Sequence, residues 1–360
     1  MHSTNQIKIF LNEYNCKNIL VVTGNKSYET SGSRKLIEES LSNSIFYRFF
    51  EFEQNPKIDN VITGVKYFTQ NNCDSIIGIG GGSAIDMSKL ISSFINEDLD
   101  DVSKILINKN DFKRKVPLLV VPTTAGSGSE ETSFAVLYAN KVKYSVNNPT
   151  LMPDKVVLNA KLSFTMSKYQ KAVSGIDAFT QGIESFWSKQ STQESRTFSL
   201  KAINLIWNNL HDSVNYNNYE SHCKVVEGAN YAGKAINIAK TTAPHAISYY
   251  FTSFHDIMHG HAVSLLFSKI FKYNLSKVKS ADKHNKMIFE QLCQILEMDE
   301  LNCEESLDKF FIDLGINLNL ASLGIDLEKE GELIKSSVNE ERLKNNPFDI
   351  NLKTILKQNL

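Results

Sequence analysis

The sequence predicts a parallel α/β domain over residues 1–153 followed by an all-helical domain over residues 154–360. Between residues 18 and 122, short β-branched runs alternate with amphipathic stretches: NILVVTG, a Ser/Glu-rich helical segment, IFYRFF, VITGVKYFTQ, SIIGIGGGS and VPLLVVPTT. Such alternation is the pattern of a parallel sheet covered by helices on both faces, with ligands at the carboxyl ends of the strands. Beyond the polar stretch 147–153, apolar residues recur at three- and four-residue spacing in segments 169–190, 192–210, 220–237 and 265–275, which is helical periodicity. A chain of 360 residues is also too long for one comfortable core. The boundary is therefore expected near Pro153.

Composition narrows the function classes. The 39 basic and 40 acidic residues nearly cancel, so no net field draws the chain to nucleic acid or an anionic membrane, and a small-molecule partner is expected. Five cysteines (Cys16, Cys73, Cys223, Cys293, Cys303) without a CxxC pair argue against a disulfide framework and a thiolate zinc site. The polar start over residues 1–6 does not read as a signal peptide, and no apolar run approaches the ~18 residues needed to cross a bilayer. A cytoplasmic location is expected.

Two loops suggest a dinucleotide. Residues 76–83, IIGIGGGS, run from a buried strand into three glycines and then into the helical AIDMSKLISSF. Glycines at such a turn let the backbone approach a phosphate, which the amides of the next helix receive. Alone, the triplet also has the alternative reading of a tight turn chosen for positive φ. It departs from GxGxxG and from GxxxxGK[ST]. The second loop, PTTAGSGSE over residues 122–130, again offers small residues and hydroxyls at a strand end. The first strand ends in VVTGNKSYETSG, placing Gly24, Asn25, Lys26 and Ser27 where an acid would bind the NAD ribose. That favours NADP(H), leaves NAD(H) open, and is also compatible with an ordinary polar turn.

A metal constellation lies in the second half. In SGIDAFTQGIESFWS, Asp177 and Gln181 stand four apart on one helical face. KTTAPHAISYYFTSFHDIMHGHAVSLL supplies His245, His255, His259 and His261. A catalytic divalent ion needs neutral imidazoles, a carboxylate and an open position, and Asp177, His245 and His259 meet that need.

GGGSAIDMSK together with PTTAGSGSE resembles the iron-containing alcohol dehydrogenase family, whose fold is shared with glycerol dehydrogenase and dehydroquinate synthase; the resemblance runs from about residue 18 to residue 262. It implies a Rossmann-like N-terminal domain and a helical, dehydroquinate synthase-like C-terminal domain that binds metal and substrate. Gly80, Gly81, Gly82 and Ser83 would hold the pyrophosphate, Thr123, Thr124 and Ser127 would line the cofactor, and Asp86 and Lys89 would stand beside it. Lys143 would approach the nicotinamide ribose, although taken by itself it is a surface lysine. The resemblance selects Asp177, His245 and His259 as metal ligands. Gln181 stands where iron-dependent members have a fourth, histidine ligand. Its carbonyl is a harder, weaker donor, leaving iron, zinc and manganese open, and ordinary helix packing is the alternative. Tyr249 occupies the place of a histidine in the family's proton path; it can donate a hydrogen bond but is a poor acid near neutral pH, so His261 or His255 would replace it, with helix capping or a solvent-facing position as the alternative for His255 and the start of the next helix as that for His261.

Within the family, DAFTQGIESFWS, the run 191–196 and TTAPHAISY…HGHAVSL look most like a branch reducing phosphonoacetaldehyde to 2-hydroxyethylphosphonate. Such a substrate needs cations, for which Lys240, Lys234 and Arg196 are candidates, although each by itself reads first as a solvated surface cation. The expected chemistry is hydride transfer from NAD(P)H to a small aldehyde, with a divalent metal as Lewis acid and proton delivery through Tyr249, His261 or water. A homo-oligomer is expected from the relatives. Three alternatives stay open: an alcohol dehydrogenase acting on another small polyol or aldehyde, a cyclase of the dehydroquinate synthase type, and a metal-free nucleotide-binding scaffold.

Overall fold

The computed structural model describes residues 3–53, 56–95, 113–139 and 142–356. The chain divides into two compact units, Met1–Met166 and Ser167–Leu360.

The first unit contains strands β1 (Asn18–Thr23), β2 (Ile45–Phe49), β3 (Ser75–Gly80), β4 (Leu118–Pro122), β5 (Phe134–Ala139), β6 (Val142–Asn147) and β7 (Lys155–Val156). Its described helices are α1 (Ser3–Glu13), α2 (Asn25–Thr30), α3 (Ser33–Ser40), α4 (Ile58–Gln70), α5 (Gly82–Phe94) and α6 (Ala160–Phe164). One sheet runs β2-β1-β3-β4-β7 with every pairing parallel. Side chains alternate across a strand, so Leu20, Val22, Ile76, Leu118 and Val120 pack with Val61, Val65, Leu90, Ile91 and Phe94 on one face. Ile19, Val21, Ile77, Ile79, Leu119 and Val121 pack with Ile7, Phe10, Ile37 and Leu162 on the other. Both faces are buried, which is why the strands read as continuous apolar runs.

The division comes later than Pro153, because β7 follows that proline and pairs with β4 through Leu119↔Lys155 and Val120↔Val156. A two-residue strand has no periodicity to detect. The antiparallel β5–β6 hairpin was likewise not foreseen from the sequence.

The second unit is helical: α7 (Lys168–Trp187), α8 (Gln193–Trp207), α9 (Leu210–Asn215), α10 (Tyr219–Ala239), α11 (Ala243–Phe254), α12 (His259–Lys277), α13 (Lys283–Leu296), α14 (Cys303–Asp313), α15 (Leu327–Ser337), α16 (Glu340–Lys344) and α17 (Leu352–Leu356). A capping box starts α7, with Ser167 Oγ accepting from Gln170 N and Gln170 Oε1 accepting from Ser167 N, both at 3.2 Å. Among the described residues, no helix is long and apolar enough to cross a membrane.

Candidate active site

Three helices of the second unit bring the candidate ligands together. Asp177 lies in the middle of α7, His245 in the first turn of α11 just after Pro244, and His259 at the first position of α12. Their ligand atoms all lie within 4.8 Å of one another. His245 Nε2 is 3.2 Å and His259 Nε2 3.8 Å from Asp177 Oδ1. Asp177 and His245 are buried, whereas His259 is partly exposed. Gly260 makes this approach feasible: a Cβ there would sit 1.9 Å from the Val173 carbonyl oxygen and 3.1 Å from Asp177 N. Any larger residue would push the start of α12 off α7 and carry His259 away.

Glu184 stands behind the ligands and was not singled out from the sequence. It is fully buried. Its Oε2 accepts from His245 Nδ1, and its Oε1 accepts from Thr242 N and Thr242 Oγ1, both at 2.9 Å, and from His245 N at 3.3 Å. A carboxylate taking the Nδ1 proton fixes the imidazole so that Nε2 faces Asp177, the arrangement that orients metal-binding histidines. The signal was present, since Asp177, Gln181 and Glu184 follow one helical face at offsets of four and three.

The electrostatics describe a pocket suited to a cation. Burial opposes charge on His245, but Glu184 and Asp177 on its two nitrogens win and push its pKa up to about 9. Burial would raise the Asp177 carboxyl, but the fields of His259 and His245 and a hydrogen bond from Gln181 hold it below its ordinary value. The Gln181 Oε1 is buried without a hydrogen-bond partner. An unpaired buried carbonyl oxygen costs roughly 1–3 kcal/mol, and a cation among these residues would satisfy it. The donor set of one carboxylate, two imidazoles and an amide oxygen therefore fits a divalent ion.

The expected proton path is rearranged. His261 Nε2 donates to Asn317 O at 2.7 Å and its Nδ1 accepts from Tyr169 OH at 2.9 Å. Two residues along a helix from His259, it points to a different face. His255 is bound to Glu330 Oε2 at 2.9 Å. Tyr249 alone of the expected relay residues is brought against the ligands, its ring stacked on His259 at a centroid separation of 6.1 Å and 24°. Of the candidate substrate cations, Arg196 folds back to Ser191 Oγ at 3.0 Å and Lys234 lies 5.4 Å over the Tyr231 ring. Lys240 instead lies in the field of Arg342, a residue the sequence reading passed over.

In the first unit, the two glycine-bearing loops meet. Thr123 N donates to Gly80 O at 2.8 Å. A Cβ on Gly81 would lie 3.3 Å from Thr124 Cγ2, and one on Gly82 would lie 2.9 Å from Ser127 Oγ. A Cβ on Gly80 would be 3.5 Å from Gly24 N. Gly24, Gly80–Gly82 with Ser83, and Thr123, Thr124 and Ser127 thus cluster at the carboxyl ends of β1, β3 and β4, with Asn25, Lys26 and Ser27 opening α2 beside them.

Asp86 and Lys89 are both bonded to the second loop and the strand after it. Asp86 accepts from Ser129 Oγ and from Val136 N, the latter at 3.0 Å. Lys89 is fully buried and donates to Ser129 O, Ser129 Oγ (3.2 Å), Thr132 O (2.8 Å), Thr132 Oγ1 (3.0 Å) and Phe134 O (3.1 Å). Both brace the second loop from behind. Lys143 belongs to β6, but its side chain lies outside the described residues. Arg48, unnoticed in the sequence, reaches the end of β1, donating to Thr23 Oγ1 (2.9 Å), Gly24 O (3.2 Å) and Asn25 O (3.2 Å).

Comparison with known proteins agrees with both halves of this picture. Residues 2–160 match the family described as iron-containing alcohol dehydrogenase, and residues 171–358 match the C-terminal domain of the Fe-containing alcohol dehydrogenase family. The chain belongs to the iron-containing alcohol dehydrogenase family. Long-chain-alcohol dehydrogenase 1 of Geobacillus thermodenitrificans is 28% identical over 296 residues, 80% of this chain and 74% of that protein. Phosphonoacetaldehyde reductase of Streptomyces viridochromogenes is 29% identical over 226 residues, 60% of this chain and 57% of that protein. The crystal structure of sulfoacetaldehyde reductase from Bifidobacterium kashiwanohense in complex with NAD+ superposes with a TM-score of 0.87 at 25% identity, covering 98% of this chain and 93% of that one. The family placement carries the oxidoreductase class with it: the relatives are named alcohol dehydrogenases and aldehyde reductases.

Proposed function

We propose that this iron-containing alcohol dehydrogenase family member is an NAD(P)H-dependent, metal-assisted reductase of small aldehydes. The observation that carries the reading is the Asp177–His245–His259 cluster with Glu184 locked behind His245 and the unpaired Gln181 oxygen beside Asp177. When bound, the divalent ion supplies Lewis-acid polarisation of the carbonyl and the reduced nicotinamide supplies the hydride. Asp177, His245, His259 and Gln181 Oε1 would hold the ion, a donor set that takes iron, zinc or manganese.

The protein's own groups prepare the rest. Glu184 keeps the Nδ1 proton of His245 and so presents Nε2 in a fixed direction. Tyr249, stacked on His259, takes over from His261 as the residue that passes a proton to the product oxygen. Gly80, Gly81, Gly82 and Ser83, with Thr123, Thr124 and Ser127, would cradle the pyrophosphate, and the absence of an acid at Gly24 with Arg48 at the same turn favours the 2′-phosphate of NADP(H). Residues 1–166 then form the nucleotide-binding domain and residues 167–360 the metal- and substrate-binding domain.

The finer reading is reduction of phosphonoacetaldehyde to 2-hydroxyethylphosphonate. It is supported by a relative named for phosphonoacetaldehyde and a structural neighbour named for sulfoacetaldehyde, both small aldehydes carrying an oxyanion. The test is the loss of nicotinamide absorbance with a panel of aldehydes, each with NADH and NADPH, before and after metal stripping. One cofactor oxidised per aldehyde, faster with phosphonoacetaldehyde and restored by added metal, is the expected result. Equal weak rates on every aldehyde would remove the phosphonate assignment, and full activity after stripping would remove the metal.

A further inference from the structure

The segment carrying Arg342 is fastened beside the ligand cluster. Asn339 N donates to Ala246 O in α11 at 3.3 Å, and Asn339 Oδ1 accepts from Arg342 N at 2.9 Å. The Arg342 guanidinium lies 5.5 Å over the Tyr249 ring, and Tyr249 in turn stacks on His259. Its Nη1 donates to Thr241 Oγ1 at 2.5 Å. Among the described residues, its recorded partners are therefore a hydroxyl and an aromatic face, with no carboxylate.

Lys240 brings a second cation to the same place, at a backbone cost. Its φ of 60° and ψ of 178° lie in a region essentially reserved for glycine. The conformation is imposed from outside: Lys240 N donates to Ile236 O at 3.0 Å, Ser188 Oγ to Ala239 O at 2.7 Å, and Asn345 Nδ2 to Ala239 O and Thr241 O at 2.9 and 3.0 Å. Burial lowers the Lys240 pKa, and the charge of Arg342 lowers it further, against a smaller opposing field from Glu341. The Lys240 ammonium donates to Asn237 O at 3.3 Å, close enough to Arg342 for the two positive charges to oppose one another. An anion between them would relieve that repulsion.

We infer that Arg342 and Lys240 form the subsite for a tetrahedral oxyanion on the substrate, holding that end while the aldehyde carbon faces the Asp177–His245–His259 cluster. The inference rests on the aldehyde reductase reading and names the substrate class within it: short aldehydes ending in phosphonate or sulfonate. A guanidinium presents a planar fork that matches two oxygens of such a group, and the ammonium adds a point charge. Tyr249 neighbours both groups, its ring centroid 5.5 Å from the Arg342 guanidinium and 6.1 Å from that of His259.

The test compares the wild type with Arg342→Gln, Arg342→Lys and Lys240→Gln as metal-loaded enzymes with NADPH. Relative kcat/KM is measured for phosphonoacetaldehyde, sulfoacetaldehyde and propanal, and ethylphosphonate binding is measured separately by calorimetry. Arg342→Gln is expected to lower the anionic-to-neutral ratio about thirtyfold or more, chiefly through KM. Arg342→Lys should recover part of that preference, Lys240→Gln should show a smaller loss, and ethylphosphonate affinity should fall in parallel. A stronger wild-type response to phosphonate than to sulfonate would identify the dianion as the preferred tail. An unchanged ratio with unchanged ethylphosphonate affinity in Arg342→Gln overturns the subsite. If the wild type reduces none of the aldehydes, the reductase reading fails, and ethylphosphonate binding still decides the subsite alone.

Discussion

The two units build their candidate sites from opposite materials. In the first, the proposed cofactor surface is backbone and small side chains: Gly24, Gly80–Gly82 and the Thr123–Ser127 loop. Of its charged residues, Asp86 and Lys89 bond to the second loop and Arg48 to the end of β1. In the second unit the site is made of ionisable side chains, and the backbone contributes chiefly by standing aside at Gly260. A cradle of amides recognises a phosphate wherever it is presented, whereas side-chain donors must be held in one geometry and therefore need a supporting layer, here Glu184 and Thr242.

The comparison is most sharply broken by removing a donor from the side-chain site. His245→Ala should cut aldehyde turnover about a thousandfold or more, while NADPH affinity, read by fluorescence titration, stays near that of the wild type. Loss of both would mean that the two sites are not separable in this way. In the backbone-built site the corresponding weak point is Lys89, whose ammonium serves five oxygens. Lys89→Met should lower folding stability by roughly 3 kcal/mol, seen in denaturant melts, because the oxygens lose their shared donor and Asp86 its nearby positive charge. Burial lowers the Lys89 pKa from 10.5 to about 8, so between those values the unfolded chain holds a proton that the folded chain has released. Wild-type stability should therefore contain a component that rises with pH across that window and is missing in Lys89→Met. Identical pH profiles for the two proteins would contradict the assignment.

The same contrast explains what could be read from the sequence. The parallel sheet was legible because β1, β3 and β4 are buried on both faces and read as uninterrupted apolar runs, and the glycine loops because two segments rich in small residues each follow such a run. Asp177, His245 and His259 were legible by residue type and by resemblance. What escaped were contacts between distant segments: Arg342 meets Tyr249 from 93 positions away in numbering terms only because α16 is tied to α11, and Arg48 reaches Gly24 across the β1–β2 pairing. The contacts of His261 were not legible either, because a residue two positions from His259 lies on another face of the helix, here against Asn317 O. Glu184 was the readable omission, lying on the same face of α7 as the ligands.

Two smaller effects sharpen the comparison from within the side-chain site. Glu184→Gln keeps the volume and one acceptor but weakens the hold on the His245 Nδ1 proton, so metal affinity should fall about 10–100-fold with the fold retained. Unchanged metal affinity would make Glu184 a packing residue. Gln181→His replaces an unpaired amide oxygen with an imidazole on the face that already carries Asp177 and Glu184. If Gln181 Oε1 is a ligand position, the substitution should tighten divalent metal binding about tenfold and shift preference toward metals that favour nitrogen donors, as read by competition titrations. A neutral result would assign the unpaired oxygen to helix packing and leave the ion with three protein ligands, and the expected gain is small because the exchange alters one donor in a site whose charge already comes from Asp177.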